Sequence, residues 1–378
     1  MKKSIFLFLS VLVCIGCATK KTTHKTTSIS FQNVLDSIYK TNPDAKGLLV
    51  HIEAPDKNIS WSGAVGYSDY KTKTPLQKEQ PGLIASSIKT YVSASILRLV
   101  EEGFITIDDS IDGLISSKSK ELLLTDGYNL KAIKIKHLLS HTSGIEDYVS
   151  KNNVGQYFDF ITANKKYRWT RDEQIKITVE RGDPLGKAGE IFNYADANFL
   201  LATEIIERIT KKPFYTAMRE LLKYNELGIN NTWQYTLEDI PENTKALTHQ
   251  YYGKYQWDSY DIDPSFDLYG GGGIACTSKD LALFSYHFFN NHIVKNEAVK
   301  DLIFTEITTK NGKTNDYYLG LSKSTINGFN AYGHGGFWAT TVQYIPKLNT
   351  SIAVFVLEKD HKKLRKDILE TLVKQLQQ

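Results

Sequence analysis

A serine and a lysine stand three residues apart at the start of a strongly apolar segment. Ser86-Ser87-Ile88-Lys89 opens residues 85 to 102, whose apolar side chains recur at helical spacing. Because residues i and i+3 share one helix face, we expect Lys89 one turn from the Ser86 hydroxyl. A helix N-terminus also offers unpaired N–H groups and positive potential to a developing oxyanion. The pattern predicts a nucleophilic serine; the alternative is an N-cap serine beside a solvated lysine.

The same Ser-x-x-Lys spacing occurs at three other places, and position separates them from Ser86. Ser37 falls inside a predicted surface helix, Ser68 follows a predicted strand in a turn, and Ser117 falls in a charged stretch predicted as a loop. Only Ser86 opens a long buried helix, so it is the candidate nucleophile.

A serine nucleophile needs a base, and Tyr194 is the candidate. Tyr194-Ala195-Asp196 stands at a predicted loop-to-helix junction, where binding groups concentrate. The chain has no Gly-x-Ser-x-Gly elbow that would indicate a Ser-His-Asp triad. A phenol of pKa about 10 can serve as base if a nearby ammonium, such as that of Lys89, favours its ionised form. The alternative is a core tyrosine bonded to backbone.

The third element is Gly333-His334-Gly335-Gly336-Phe337, between strand-like residues. Three glycines around one histidine allow close approach of backbone and substrate. An edge strand here could pair with an extended peptide and direct an N–H at its carbonyl. The alternative is a tight hairpin with an exposed histidine.

Three other features are interpreted as structural. Residues 270 to 273 are all glycine but lack the Gly-Lys-Ser/Thr ending of a phosphate loop. His137 and His141 lie four residues apart without a Glu-containing zinc motif, so no metal site is predicted. Cys276, between small and apolar residues, is predicted to be buried rather than nucleophilic.

The elements that must position these residues indicate an α/β (α+β) fold. Strand-like segments lie near both chain ends, while residues from about 105 to 300 are helical and loop-rich. Short connections near the C-terminal end favour antiparallel pairing. We therefore predict an antiparallel sheet built from both chain ends and flanked by helices, with an inserted mostly helical subdomain.

The N-terminal residues predict export. Lys2 and Lys3 precede the apolar run from Ile5 to Ile15, too short for a mature membrane span. Gly16-Cys17 after this run resembles a bacterial lipobox, which implies cleavage before Cys17 and its lipidation. The domain prediction is a signal peptide over 1–16, lipidated Cys17 with a flexible tether over 17–29, and a hydrolase domain over 30–378. The alternative is an ordinary secretory signal.

Charge argues against a nucleic-acid partner. The 378 residues carry a formal net charge of +4, with basic and acidic residues interspersed. A nucleic-acid-binding protein would normally concentrate basic residues on one face. We expect a monomer of the cell envelope, anchored to a bacterial membrane through Cys17 and facing the periplasm or exterior.

Together these motifs resemble the serine β-lactamase-related family: class C β-lactamases, low-molecular-weight penicillin-binding proteins with D,D-peptidase activity, and related esterases. Five motifs occur in the family's order: Ala85-Ser86-Ser87-Ile88-Lys89-Thr90, Leu138-Leu139-Ser140-His141-Thr142-Ser143-Gly144, Tyr194-Ala195-Asp196, Gly270 to Thr277 with Asp280, and His334-Gly335-Gly336. The order and approximate spacing extend from about residue 30 to 358.

The resemblance implies an acyl-enzyme on Ser86, with Lys89 and Tyr194 as the base pair. It implies an oxyanion hole from the N–H groups of Ser86 and Phe337, and no metal or cofactor. The residues that it implies for substrate binding and the oxyanion are Asp196, His334, Gly335, Gly336 and Phe337.

Three departures from the family pattern argue against an efficient β-lactamase. Asp196 stands where asparagine is common, His334 replaces a lysine, and Gly335 replaces a threonine. A mostly neutral histidine holds a carboxylate weakly. The leading hypothesis is a D,D-peptidase or carboxypeptidase-like enzyme acting on cell-wall-type peptides. The alternatives are an esterase of the same fold and a binding protein that kept the fold without the chemistry.

Overall fold

A computed structural model describes residues 18–149, 154–310 and 316–377. Its strands are β1 (Gly47–Ala54), β2 (Ile59–Asp69), β3 (Thr74–Pro75), β4 (Gly82–Leu83), β5 (Thr232–Gln234), β6 (Tyr251–Tyr252), β7 (Trp257–Asp258), β8 (Ile274–Cys276), β9 (Ser322–Ile326), β10 (Phe329–Gly335), β11 (Thr340–Ile345) and β12 (Thr350–Val356). Its helices are α1 (Ala18–Thr41), α2 (Ile88–Glu101), α3 (Ser117–Thr125), α4 (Ile135–Leu139), α5 (Val154–Ala163), α6 (Arg171–Arg181), α7 (Ala197–Thr210), α8 (Phe214–Leu221), α9 (Ser278–Phe289), α10 (Glu297–Asp301) and α11 (Leu364–Leu376).

The main sheet joins the two ends of the chain. Within the described ranges its seven strands follow the order β3-β2-β1-β12-β11-β10-β9, and every neighbouring pair is antiparallel. The central pair is β1 with β12, in which Leu48 faces Val356 and Ile52 faces Ile352. The predicted fold class, with a sheet built from both chain ends, is confirmed.

Both faces of the sheet are covered, because the strand residues alternate between two cores. Leu48, Val50 and Ile52 of β1 belong to a core shared with Phe31 of α1 and Ile368 of α11. Leu49, on the opposite face of β1, belongs to a larger core with the helices of the middle region. The terminal helices therefore support the sheet from one side, and α9 with the middle region supports it from the other.

The middle of the chain carries α3 to α10 and two small sheets, β4-β8-β5 and β6-β7. Helix α2 lies deep in the larger core, where Ile88, Val92 and Ile96 have no exposed surface. Cys276 is fully buried, as its neighbours predict. Ser117 begins helix α3 rather than lying in a loop, because the Ser116 hydroxyl caps this helix by accepting the Ser119 N–H.

The N-terminal region differs in one respect from the sequence prediction. Residues 18–29, predicted as a flexible tether, continue α1, and no glycine or proline interrupts this stretch. Cys17 and the predicted signal peptide lie outside the described residues. Among the helices described, none is long and apolar enough to cross a bilayer.

Candidate active site

Ser86 lies in a 3-10 turn, Ala85–Ser87, that leads into α2. The sequence predicts α-helix from Ala85, but the first three residues take the tighter turn. Ala85 has a φ of 45°, a costly backbone conformation for a residue with a side chain. The Ser87 hydroxyl donates to the His334 carbonyl at 3.3 Å. This hydrogen bond connects the 3-10 turn that carries Ser86 to strand β10.

Lys89 connects Ser86 to the rest of the site. Its ammonium lies 3.2 Å from Ser86 Oγ, 2.5 Å from Asp196 Oδ1 and 2.9 Å from the Gly271 carbonyl. Lys89 has no exposed surface, so its charge depends on these three acceptors. The glycine loop, predicted to be structural, thus supplies one of the lysine's acceptors through Gly271.

Tyr194 stands just before α7, close to Ser86 and with its ring centroid 5.1 Å from Lys89 Nζ. Although 37% of the tyrosine surface is exposed, its hydroxyl lies among buried polar groups. The His141 ring packs against the tyrosine ring with centroids 4.1 Å apart. His141 Nδ1 accepts the Ala195 N–H at 3.1 Å, so this histidine orients both the tyrosine and its backbone.

The electrostatics disfavour a resting phenolate. Burial raises the pKa of Tyr194 well above its usual value, and the negative charge of Asp196 adds to the rise. The Lys89 ammonium lies 5.1 Å from the tyrosine ring centroid but pairs with Asp196. The sequence-based expectation that Lys89 would ionise Tyr194 therefore does not describe the resting site.

Three carboxyl groups surround Lys89, two of which the sequence did not single out. Asp147 Oδ1 accepts the Asp196 N–H at 3.0 Å. Burial and the neighbouring Asp196 charge raise the pKa of Asp147 well above its usual value and that of Asp267 to about 8. One buried ammonium cannot balance three carboxylates, so the cluster holds protons at neutral pH.

Two backbone N–H groups are available for an oxyanion. Those of Ser86 and Phe337 donate to no acceptor in the described part of the chain. Gly336 lies so close to the nucleophile turn that a Cβ there would come within 2.1 Å of the Ile84 carbonyl oxygen. Only glycine permits this approach, which brings Phe337 beside Ser86.

His334 is a neutral hydrogen-bonding residue rather than a cation. Its Nδ1 lies 2.7 Å from the Gly335 carbonyl and donates to it, so Nε2 accepts the Tyr317 hydroxyl at 3.0 Å. Burial lowers the pKa of His334 to about 3, and the nearby Lys89 charge acts in the same direction. His334 therefore lacks the charge that would hold a substrate carboxylate.

A different cation stands beside Gly335. The Arg365 Nη1 atom lies 3.0 Å from the position that a Cβ on Gly335 would take. Arg365 is held by its own bonds, from Nη1 to the Thr340 carbonyl at 2.6 Å and from Nε to the Lys362 carbonyl at 3.0 Å. The absent threonine side chain thus leaves room for a guanidinium from α11.

Aromatic rings surround Phe337. Its ring centroid lies 5.7 Å from that of Phe158, 5.9 Å from that of Phe266 and 6.2 Å from that of Trp257. Lys359 Nζ lies 3.2 Å from the Phe337 centroid. Burial, together with the charge of Lys362, lowers the pKa of Lys359 to about 7. This aromatic cluster forms an apolar wall beside the oxyanion hole.

The structure brings Ser86, Lys89, Tyr194 and Asp196 into direct contact, while His334, Gly335, Gly336 and Phe337 line the adjoining end of β10. Their catalytic roles stay predictions. The sequence analysis did not find Asp147, Asp267, Lys359 and Arg365, which no motif marks. Among the described residues, no group of three or more His, Cys, Asp or Glu side chains is placed to hold a metal ion.

Comparisons with known proteins show the family and the fold. The Beta-lactamase family model matches residues 35–373. Penicillin-binding protein 4* of Bacillus subtilis (strain 168) is 23% identical over 333 residues, covering 82% of this chain and 68% of that protein. The structure of D-amino acid amidase from Ochrobactrum anthropi SV3 is similar with a TM-score of 0.74 and 18% identity, over 93% of this chain and all of that one. EstCE1, a hydrolase with promiscuous acyltransferase activity, gives a TM-score of 0.68 and 17% identity, over 91% of this chain and 99% of that one. With the family model spanning most of the chain and the serine, lysine and tyrosine in contact, the chain belongs to the Beta-lactamase family, whose members are serine hydrolases.

Proposed function

We propose that this protein hydrolyses small peptides or amides through an acyl-enzyme on Ser86. The observation that carries the proposal is the buried Lys89 ammonium, which bridges Ser86 Oγ and Asp196 while Tyr194 lies beside the same serine. Nucleophile and proton-transfer groups are then within hydrogen-bond reach of one another, as nucleophilic catalysis requires.

The proton path in this proposal runs through the Lys89–Asp196 pair. Lys89 passes a proton to Asp196 Oδ1 and takes the Ser86 hydroxyl proton as Oγ bonds the substrate carbonyl carbon. Tyr194 gives its hydroxyl proton to the leaving nitrogen as the C–N bond breaks, and recovers one through Lys89. A water molecule then attacks the ester, loses its proton to the same groups and releases Ser86. The resting protonated state of Tyr194 suits the role of acid.

The N–H groups of Ser86 and Phe337 stabilise the tetrahedral oxyanion in this mechanism. Neither donor has an acceptor among the described residues, and the close approach at Gly336 brings the end of β10 against the turn that carries Ser86. Removing one such donor typically costs about 10²- to 10³-fold in rate.

The carboxypeptidase-like form of the proposal requires an anchor for the terminal carboxylate of a cell-wall-type peptide. Neutral His334 does not supply it, and the Arg365 guanidinium beside Gly335 lines the α11 side of the sheet with Thr341 and Lys362. The similarity to a penicillin-binding protein of Bacillus subtilis supports a D,D-peptidase or carboxypeptidase-like enzyme.

Esterase activity is the second candidate. The site needs no carboxylate recognition to acylate Ser86 from an activated ester, and the apolar wall around Phe337 accepts an uncharged acyl chain. The fold similarity to EstCE1 is compatible with this alternative.

We also propose a location in the cell envelope, with the membrane anchor at Cys17. The support is the sequence Lys2-Lys3, the apolar run and the Gly16-Cys17 step. Release of a Cys17→Ser variant from the membrane fraction, with retention of a Cys14→Ser variant, is the expected result. Equal retention of both would contradict the anchor.

The decisive experiment is acyl trapping on Ser86. Purified residues 18–378 are incubated with a fluorescent penicillin, a short nitrophenyl ester and a small peptide amide, and the adduct is mapped by peptide mass. We expect Ser86→Ala to lose labelling and turnover, and Ser117→Ala, an exposed serine of the same spacing, to keep both. Full acyl transfer by Ser86→Ala would refute the proposal, whereas turnover restricted to the ester would favour the esterase.

A further inference from the structure

Asp267 presents a carboxyl group without a partner beside the site. It makes no hydrogen bond or ion pair in the described part of the chain, and its Oδ1 is buried. A Cβ on Gly271 would lie 2.8 Å from Oδ1, and a Cβ on Gly272 would lie 2.3 Å from Oδ2. Because the Gly271 carbonyl accepts the Lys89 ammonium, this carboxyl packs against the loop that contacts the Ser86–Lys89 pair.

No cation in the described residues neutralises Asp267. The Lys89 ammonium lies 2.5 Å from Asp196. The charge of Lys359 lowers the pKa of Asp267, but it is the smallest of the contributions to that pKa. The Lys359 Nζ atom lies over the Phe337 ring and forms no ion pair in the described residues. A buried carboxyl oxygen without a partner is costly, and a strongly perturbed ionisable group in a cleft is a candidate for a functional site.

There is room at this carboxyl for one small polar group. Asp267 lines a cavity of about 10 Å³ together with Ala85, Phe266, Gly273 and Trp338. This volume is close to that of one water molecule, and therefore to that of one ammonium group. Ala85 directly precedes the nucleophile, so a group held here lies close to the turn that carries Ser86.

The walls next to the carboxyl are aromatic. Phe266, the residue before Asp267, lies 5.9 Å from Phe337 and 5.8 Å from Trp257 between ring centroids. A carboxyl group at the base of an aromatic wall gives up its proton when a cation binds beside it. It is therefore complementary to a ligand that carries an ammonium group next to a bulky apolar side chain.

We propose that Asp267 binds the α-ammonium group of the substrate's acyl residue, so that the enzyme selects amides and peptides with a free amino terminus and an aromatic or bulky apolar side chain. This proposal rests on the acyl-enzyme function of Ser86. A bound ammonium group favours the ionised form of the Asp267 carboxyl, and loss of a hydrogen bond to a charged group typically costs about ten- to a hundredfold in affinity.

The test separates recognition from chemistry. Phenylalaninamide and N-acetylphenylalaninamide, in both D and L forms, are titrated calorimetrically into Ser86→Ala, which cannot turn them over. The same titrations use Ser86→Ala with Asp267→Asn, and Ser86→Ala with Asp261→Asn as the matched control. Asp261 lies six residues away and forms no ion pair in the described structure. Thermal melts establish that each variant is folded.

We expect Ser86→Ala to bind phenylalaninamide at least about tenfold more tightly than its N-acetyl derivative. Asp267→Asn is expected to abolish this difference by weakening only the free amine, and Asp261→Asn to preserve it. Equal binding of amine and N-acetyl ligands, loss of both with Asp267→Asn, or no binding of phenylalaninamide would overturn the proposal. Failure of the acyl-enzyme function would instead show as absent Ser86 labelling, which these titrations do not require.

Discussion

Replacing Asp267 by asparagine should change how the stability of the fold depends on pH. Burial, with the Asp196 charge next in size, raises the pKa of Asp267 from 3.8 to about 8. Between these two values the folded protein holds a proton on Asp267 that the unfolded chain has released. Folding stability from this group is therefore present below pH 4 and is lost as the pH rises through the folded-state pKa.

The expected magnitude follows from the width of this interval. One proton difference changes the free energy of unfolding by about 1.4 kcal/mol per pH unit. From pH 5 to pH 8 the wild type should therefore lose up to about 4 kcal/mol relative to Asp267→Asn, which has no proton to exchange. Partial access of solvent and proton sharing with Asp147 and Asp196 reduce this, and we expect about 2 kcal/mol.

The assay is denaturant unfolding followed by tryptophan fluorescence at pH 5, 6, 7 and 8, for wild type, Asp267→Asn and Asp261→Asn. Titration of the buried histidines is common to all three proteins and cancels in the differences. Asp267→Asn should gain stability over wild type as the pH rises, while Asp261→Asn should run parallel to wild type. Parallel curves for all three would refute the reasoning that Asp267 is protonated and unpaired in the fold.

Two further substitutions test the other end of the site. Gly336→Ala forces a Cβ to within 2.1 Å of the Ile84 carbonyl oxygen, so its kcat should fall about 100-fold or more. The control variant Gly155→Ala, whose Cβ would meet no atom within 4 Å, should keep the wild-type kcat. Equal kcat values for the two variants would contradict the close approach at Gly336. His334 keeps its proton on Nδ1 while Tyr317 bonds Nε2, so the pH profiles of kcat/KM for wild type and His334→Gln should have the same shape between pH 4 and 7. An acid limb near pH 6 that disappears in the variant would show that His334 titrates during catalysis.

Local patterns predicted the elements of the site well. Ser86 at a helix start, Tyr194 before α7 and His334 on a strand are each marked by spacing and by flanking glycines or apolar residues. These signals lie within a few residues of one another, which is the range over which turns and helix periodicity act. The antiparallel sheet was predictable for the same reason, from short strand connections near the C-terminal end.

The charges around the site were not predictable in this way. Asp147, Asp267 and Arg365 reach it from a loop, a 3-10 turn and the last helix, and no spacing rule connects them. Sequence reasoning also expected Lys89 to favour a Tyr194 phenolate. The structure instead shows the lysine paired with Asp196, an outcome that depends on burial and three-dimensional distance.

The sheet built from both chain ends has a consequence for synthesis. Ser86 is made early, whereas Phe337, the proposed second donor of the oxyanion hole, follows 251 residues later. A ribosome adding about 5–20 residues per second needs roughly 10 to 50 seconds to cover that distance. Over this interval β1 lacks its β12 neighbour, and the serine lacks the donor that activates its target. Under the proposed mechanism, a nascent chain therefore exposes Ser86 without its second oxyanion donor, and we expect no hydrolysis until the last strands have left the ribosome.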